Sequence, residues 1–172
     1  MLCPECQTEI DAPISQNEAV YWICDRCGHC TELPAVDPVE RLAEFEQQYG
    51  LKLPDSYSEL ILPTGEAVEV NKSVIVQPSG NARIDRFLSG RNRLSVGRIF
   101  GVAGLELDTI FCTEYMTLEW GLPEDLVLLE GDGHCWLALD YRSQSHDPPV
   151  IFIESAECSW LTVAPNLAAL IR

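Results

Sequence analysis

Five of the chain's eight cysteines fall within its first 30 residues: Cys3, Cys6, Cys24, Cys27 and Cys30. Four of them form two C-x-x-C pairs, Cys3-Pro-Glu-Cys6 and Cys24-Asp-Arg-Cys27, separated by 17 residues. Two sulfurs from one tight turn span two corners of a tetrahedron, and a hairpin brings a second such turn opposite. The spacing predicts a small ribbon organised by one structural Zn²⁺ held by Cys3, Cys6, Cys24 and Cys27. Glu18 to Ile23 alternates like the strand that delivers the second pair, and Gly28 follows Cys27 where a turn needs a permissive backbone. Four thiolates close the coordination sphere, so the site reads as structural rather than catalytic. A second pair also argues against a redox C-x-x-C. His29 and Cys30 are surplus bystanders, although Cys30 lies close enough to stand in for Cys27. A module this small cannot hold itself by burial alone, so metal is the expected source of its order.

The ribbon is assigned to residues 1–34, with a connector at Leu33-Pro34-Ala35-Val36, and a second domain to residues 38–172. Hydrophobic residues make up 47% of the chain and charged ones 22%, which fits a packed core rather than a disordered acidic tail. Asp37 as cap, Pro38 in the first turn and Glu40 predict a helix with Val39, Leu42, Phe45 and Tyr49 along one face and Gly50 at its end. A second helix is expected after Leu53-Pro54-Asp55, burying Tyr57, Leu60 and Ile61 and stopped by Pro63. Glu66 to Val76 reads as strand, and Gln77 to Asn92 as a polar stretch with an apolar island at Ile84, Phe87 and Leu88. Thr113 to Trp120 suits a helix; Leu126–Leu129, Cys135–Leu139 and Val150–Ile153 suit strands, with Gly131-Asp132-Gly133 turning between the first two on glycines of positive φ. Leu167, Leu170 and Ile171 belong to a final helix, so the class is α+β. Cys112, Cys135 and Cys158 are isolated and read as small buried residues.

The charge narrows the partners. With 27 acidic and 11 basic side chains the formal net charge is −16. Such a surface repels phosphate backbones and anionic membranes and steers toward basic proteins. The ribbon sharpens this, since residues 1–37 carry seven acids against Arg26 alone. Nucleic acid and membrane are therefore not expected partners. One segment runs the other way: residues 71–100 hold Lys72, Arg83, Arg86, Arg91, Arg93 and Arg98 against Asp85. This island is expected to pair with acids of its own fold. Neither a signal sequence nor a membrane-spanning run is apparent, which suggests a cytosolic protein whose thiols stay reduced.

The stretch from Trp120 through Gly131-Asp132-Gly133-His134-Cys135-Trp136 to Asp140-Tyr141, followed by Asp147-Pro148-Pro149-Val150-Ile151-Phe152-Ile153-Glu154, resembles the SUKH superfamily. That group contains fungal Smi/Knr-type regulators of cell-wall synthesis and many bacterial immunity proteins. Tyr49-Gly50-Leu51-Lys52-Leu53-Pro54-Asp55-Ser56-Tyr57, Ile84-Asp85-Arg86-Phe87-Leu88 and Val163-Ala164-Pro165-Asn166-Leu167 are similar to other segments of the family in the same order, over residues 38–172. Pro63-Thr64-Gly65-Glu66 departs from the Asn-Gly-Gly that many members carry, and the ribbon lies outside the family domain. The resemblance implies a mixed or antiparallel sheet flanked by helices. It also implies a non-catalytic protein that binds a cognate toxin domain and occludes it. A nuclease toxin fits the acidity, because it must itself be basic. The competing reading is a regulatory or scaffolding module whose ribbon docks another protein.

No catalytic constellation appears. The histidines are His29, His134 and His146, and there is no G-x-S-x-G, P-loop or H-E-x-x-H. Cys135 and His134 are neighbours, and neighbours in a strand face opposite ways. Candidate partner-binding residues are Glu124, Asp125, Asp132, Asp140 and Asp147, on an acidic face formed after Gly101. For Asp132 and Asp140 the simpler reading is turn capping and backbone hydrogen bonding, with the partner-binding face as the alternative.

Overall fold

In a computed structural model, the structure describes residues 6–8, 14–16, 19–23, 26–27, 30–32, 37–88, 92–104 and 106–172. The chain divides into two compact units, Met1–Asp37 and Pro38–Arg172.

In the first unit, β1 (Ile14–Gln16), β2 (Ala19–Ile23) and β3 (Cys30–Glu32) form a three-stranded antiparallel sheet with β2 in the centre. Ile14 pairs with Tyr21, and Ile23 with Cys30. The expected connector 33–36 lies outside the described residues.

The second unit opens with α1 (Pro38–Tyr49) and α2 (Asp55–Ile61). Leu42 and Phe45 turn inward from α1, whereas Val39 is exposed although it was expected on the apolar face. Gly50 leaves the helix with φ +63, and Glu46 locks the connector that follows. Its carboxylate accepts from the Leu53 amide at 2.9 Å and from Lys52 Nζ at 2.8 Å. In α2, Tyr57 and Ile61 are fully buried, and Tyr57 Oη donates to the Phe100 carbonyl at 2.8 Å.

Next come β4 (Val68–Ile75), the short α3 (Ala82–Asp85) and β5 (Arg93–Ile99), with β4 and β5 antiparallel. Two 3-10 turns, 106–108 and 110–112, lead into α4 (Thr113–Trp120). Then β6 (Leu126–Gly131), β7 (Cys135–Asp140), β8 (Val150–Glu154) and β9 (Ser159–Ala164) form an antiparallel sheet in chain order, and α5 (Leu167–Ile171) closes the unit.

The core follows from the sequence of β6, β7 and β8. Near-continuous runs of Val, Ile, Leu and Ala are buried on both faces, which requires cover on each side. Helix α4 packs on β6, α3 on β8 and β9, and α5 on β9 and β4. Strand β5 meets β6 through the Phe100 amide, which donates to the Leu129 carbonyl at 2.7 Å. Beside it the Glu130 carboxylate accepts from the Gly97 amide at 3.0 Å and the Arg98 amide at 3.4 Å, taking the place of a backbone carbonyl. Gly101 is required by close approach: a Cβ there would lie 2.4 Å from the Gly65 carbonyl oxygen. That carbonyl accepts from the Val102 and Ala103 amides, tying the end of α2 to the end of β5. Thus Gly65, in the segment that departs from the family pattern, has a defined structural role.

Candidate partner-binding surface

The five acidic candidates separate in space. Strand pairing places Leu126 opposite Asp140 and Leu139 opposite Val150. The start of β6, the end of β7 and the start of β8 therefore share one end of the sheet, with Glu124, Asp125, Asp140 and Asp147 around it. Asp132 sits in the β6–β7 turn at the other end, about 15–20 Å away for a strand of this length. Its Oδ1 accepts from the His134 and Cys135 amides at 2.9 and 3.1 Å, so it caps the turn.

Asp140, for which turn capping and a partner-binding face are the two readings, is buried. Arg142 grips it through Nε and Nη2, each at 2.7 Å, with its own amide at 3.2 Å. These hydrogen bonds hold the Asp140 carboxyl below the usual range against the opposing effect of burial. The Arg142 guanidinium also lies 4.2 Å from the Trp160 ring centre. Asp140 therefore organises the end of β7 and offers no free charge.

Glu124, Asp125 and Asp147 are exposed. Asp125 adopts φ +58 while its carbonyl accepts from the Tyr141 amide at 2.9 Å. Both Glu124 and Asp125 rim a groove of about 480 Å³. Asp147 borders a second groove of about 490 Å³ that Lys52 and Arg172 also line. There Asp147 accepts from Asn166 Nδ2 at 2.7 Å, and Gln144 Nε2 donates to the Asp147 carbonyl at 2.7 Å. Tyr141, which sequence reasoning did not single out, binds this end of the sheet to the α1–α2 connector. Its hydroxyl donates to the Lys52 carbonyl at 2.8 Å. Burial drives the Tyr141 phenol well up, with Glu46 and Asp147 acting in the same sense.

At the opposite end, Gly133 has φ +90, but Gly131 does not turn as expected: it is the last residue of β6. The Trp136 ring lies across Gly131, where a Cβ would come within 2.1 Å of the ring. Of the three isolated cysteines, Cys112 is buried as expected, whereas Cys135 and Cys158 are half-buried. Burial pushes the Cys135 thiol up to about 12, with Asp132 and Glu154 adding to the effect, so it is a neutral thiol at physiological pH. The Cys158 thiol donates to the Gly121 carbonyl at 3.0 Å.

The basic island pairs in part as expected. Arg98 binds Asp108 at 2.6 Å, and Arg83 reaches Glu157 at 3.2 Å and Glu154 at 3.9 Å. Lys72 Nζ donates to the Arg172 carbonyl. Arg91 lies outside the described residues.

Of the expected zinc ligands, Cys6 and Cys27 are described, half-buried and exposed respectively, while Cys3 and Cys24 lie outside the described residues with Gly28 and His29. Among the described residues no group of three or more His, Cys, Asp and Glu side chains is placed to share a metal ion. The two cysteine segments are nonetheless brought together. Thr8 Oγ1 accepts from Cys6 Sγ at 3.3 Å and from Arg26 Nη1 at 3.4 Å, bridging the first C-x-x-C to the second. Four cysteines in two C-x-x-C pairs are the donor chemistry that a tetrahedral zinc takes.

Among the described residues no helix is long and apolar enough to cross a membrane. Searches of curated proteins and of solved structures gave no match. The model of the SMI1 / KNR4 family (SUKH-1) matches residues 39–172, a span that runs from α1 through α5, and the chain accordingly belongs to this family.

Proposed function

We propose that this chain is a non-catalytic immunity protein that binds a cognate toxin domain in a bacterial cytoplasm and occludes its working surface. Family membership supports an immunity or regulatory protein-binding role and is the observation that carries the reading. The net charge of −16 favours a basic partner, and a nuclease toxin is basic because it must hold phosphates. The unpaired acids Glu124 and Asp125 lie where the sheet end opens into a groove, whereas much of the basic island is occupied internally. Cys3, Cys6, Cys24 and Cys27 would hold one structural Zn²⁺, consistent with the bridge that Thr8 makes between the two segments. Bound there, zinc supplies folding energy to residues 1–37 and no reaction chemistry.

The test is co-expression with the toxin encoded beside this gene. The chain is expected to restore growth and to bind the toxin with an association rate that falls steeply with added salt. Failure to protect, together with no binding at low salt, would refute the immunity reading in favour of a regulatory docking module.

A further inference from the structure

The groove beside Glu124 and Asp125 has a chemistry of its own. Its floor is apolar, formed by Leu51, Leu122 and Leu126 with the ring of Tyr49. Tyr49 is fixed from behind: its ring stacks on Phe45 at 4.2 Å, and Phe45 meets Phe111 edge-on at 5.3 Å. Tyr49 Oη is buried with no hydrogen-bond partner of ordinary geometry. Burial and then the Glu114 carboxylate raise its pKa, which the Glu114 amide partly offsets. The wall is α4, where Leu118 is 84% exposed and Tyr115, three residues earlier and so a neighbour on the helix surface, is 58% exposed. A leucine this bare beside a concave apolar floor is what an unoccupied docking surface presents. Three carboxylates, Glu114, Glu124 and Asp125, border the groove, and among the described residues no basic side chain lines it.

Apolar floor and one-signed rim select one kind of occupant. An acidic peptide would be repelled, and a purely cationic one would leave the floor and Leu118 in water. We propose that this groove receives a basic segment of a protein partner: one large apolar side chain seats against Tyr49, Leu118 and Leu122, and flanking Lys or Arg side chains meet Glu114, Glu124 and Asp125. The other groove, beside Asp147, has Lys52 and Arg172 in its lining and lacks this single sign. The proposal rests on the protein-binding reading above and specifies the surface and the partner chemistry.

The probe is a short blocked peptide with one Phe flanked by lysines, titrated into the full isotope-labelled chain at low salt. Two control peptides replace the Phe by Ala or the lysines by Glu. Amide shifts are expected to concentrate in residues 113–126 and around Tyr49. The Phe peptide should bind about tenfold more tightly than its Ala control, and the Glu control should not bind. Leu118→Asp, at a site too exposed to disturb folding, and the pair Glu124→Gln with Asp125→Asn should each weaken binding by about tenfold. Equal binding of the Phe and Ala peptides, equal binding by Leu118→Asp, shifts spread over all acidic surfaces, or no shift at millimolar peptide would each overturn the proposal. In the co-expression assay, a Leu118→Asp chain that protects as well as wild type removes the groove from toxin binding and leaves the immunity reading intact. A wild-type chain that neither protects nor binds the toxin at low salt removes the immunity reading, and the peptide titration still decides the groove.

Discussion

The two units of this chain differ in what their sequences offer to order them. Residues 38–172 bury both faces of β6, β7 and β8 and surround them with helices, so apolar burial organises the unit. Residues 1–37 offer one compact apolar run, Val20-Tyr21-Trp22-Ile23, beside five cysteines. By general principle, three strands this short would need a staple beyond apolar burial. The difference teaches where each unit should fail. One should depend on local chemistry at a few sulfurs and the other on volume in its core.

The largest effect expected is therefore metal removal. Purified under reducing conditions, the chain should carry about one zinc, the stoichiometry of one four-thiolate site. Chelation, or Cys6→Ser with Cys27→Ser, should abolish the dispersed amide signals of β1–β3 and leave those of β6–β9 in place. A metal-free chain whose residues 19–23 keep their pairing would break the comparison at its root.

The converse perturbation is Phe45→Ala. Phe45 is fully buried between Tyr49 and Phe111, and removing a buried aromatic ring costs about 3–5 kcal/mol. Urea unfolding followed through signals from residues 38–172 should move to a lower midpoint with that loss. Signals from β1–β3 should keep their chelator sensitivity unchanged. A loss below about 1 kcal/mol would mean that the core of the larger unit collapses around the gap.

Much of the larger unit was legible in the sequence because its signals are local. Pro and Gly punctuate α1, α2 and α4, and the apolar runs of β6, β7 and β8 are too strong to be loops. Two strands of the larger unit, β5 and β9, have weaker signatures. In β5, Leu94 and Val96 alternate with polar neighbours as a half-buried strand should, but three arginines from 91 to 98 mask the pattern with charge. In β9, Trp160, Leu161 and Val163 lie beside a helix start at Asn166, whose side chain caps α5 by accepting from the Ala169 amide, and the cap signal overshadowed the strand. The candidate site was legible only in part. Glu124 and Asp125 could be found as exposed acids next to a helix-stopping proline. The neutralisation of Asp140 by Arg142, two residues on, depends on the chain bending back after β7. The meeting of α4 with Tyr49 and Leu51 across more than sixty residues has no local signature at all.

Glu130 is the smallest of these effects and the one that most sharpens how the larger unit is joined. Its carboxylate reaches β5, 33 residues earlier, and accepts from the Gly97 amide through both oxygens, at 3.0 and 3.1 Å. Glu130→Ala leaves that part-buried donor unpaired and should cost about 1–3 kcal/mol. Glu130→Gln retains an acceptor oxygen and should stay within about 1 kcal/mol of wild type at neutral pH. Acidity separates the wild type from the Gln variant. Burial raises the Glu130 pKa in the fold, the Gly97 and Arg98 amides oppose that rise, Glu69 adds to it and Arg98 opposes it in turn. A carboxyl whose folded pKa lies above its unfolded value binds its proton more tightly in the native state. Its contribution is then fully present below the unfolded pKa and is lost as pH rises through the folded one. Wild type should consequently gain stability over Glu130→Gln as pH falls from neutrality through the glutamate range, a trend visible as converging or crossing urea midpoints. A constant difference between the two proteins across that range would show that the β5–β6 junction holds Glu130 charged at no cost, and that a fixed charge, rather than a strained one, completes the sheet.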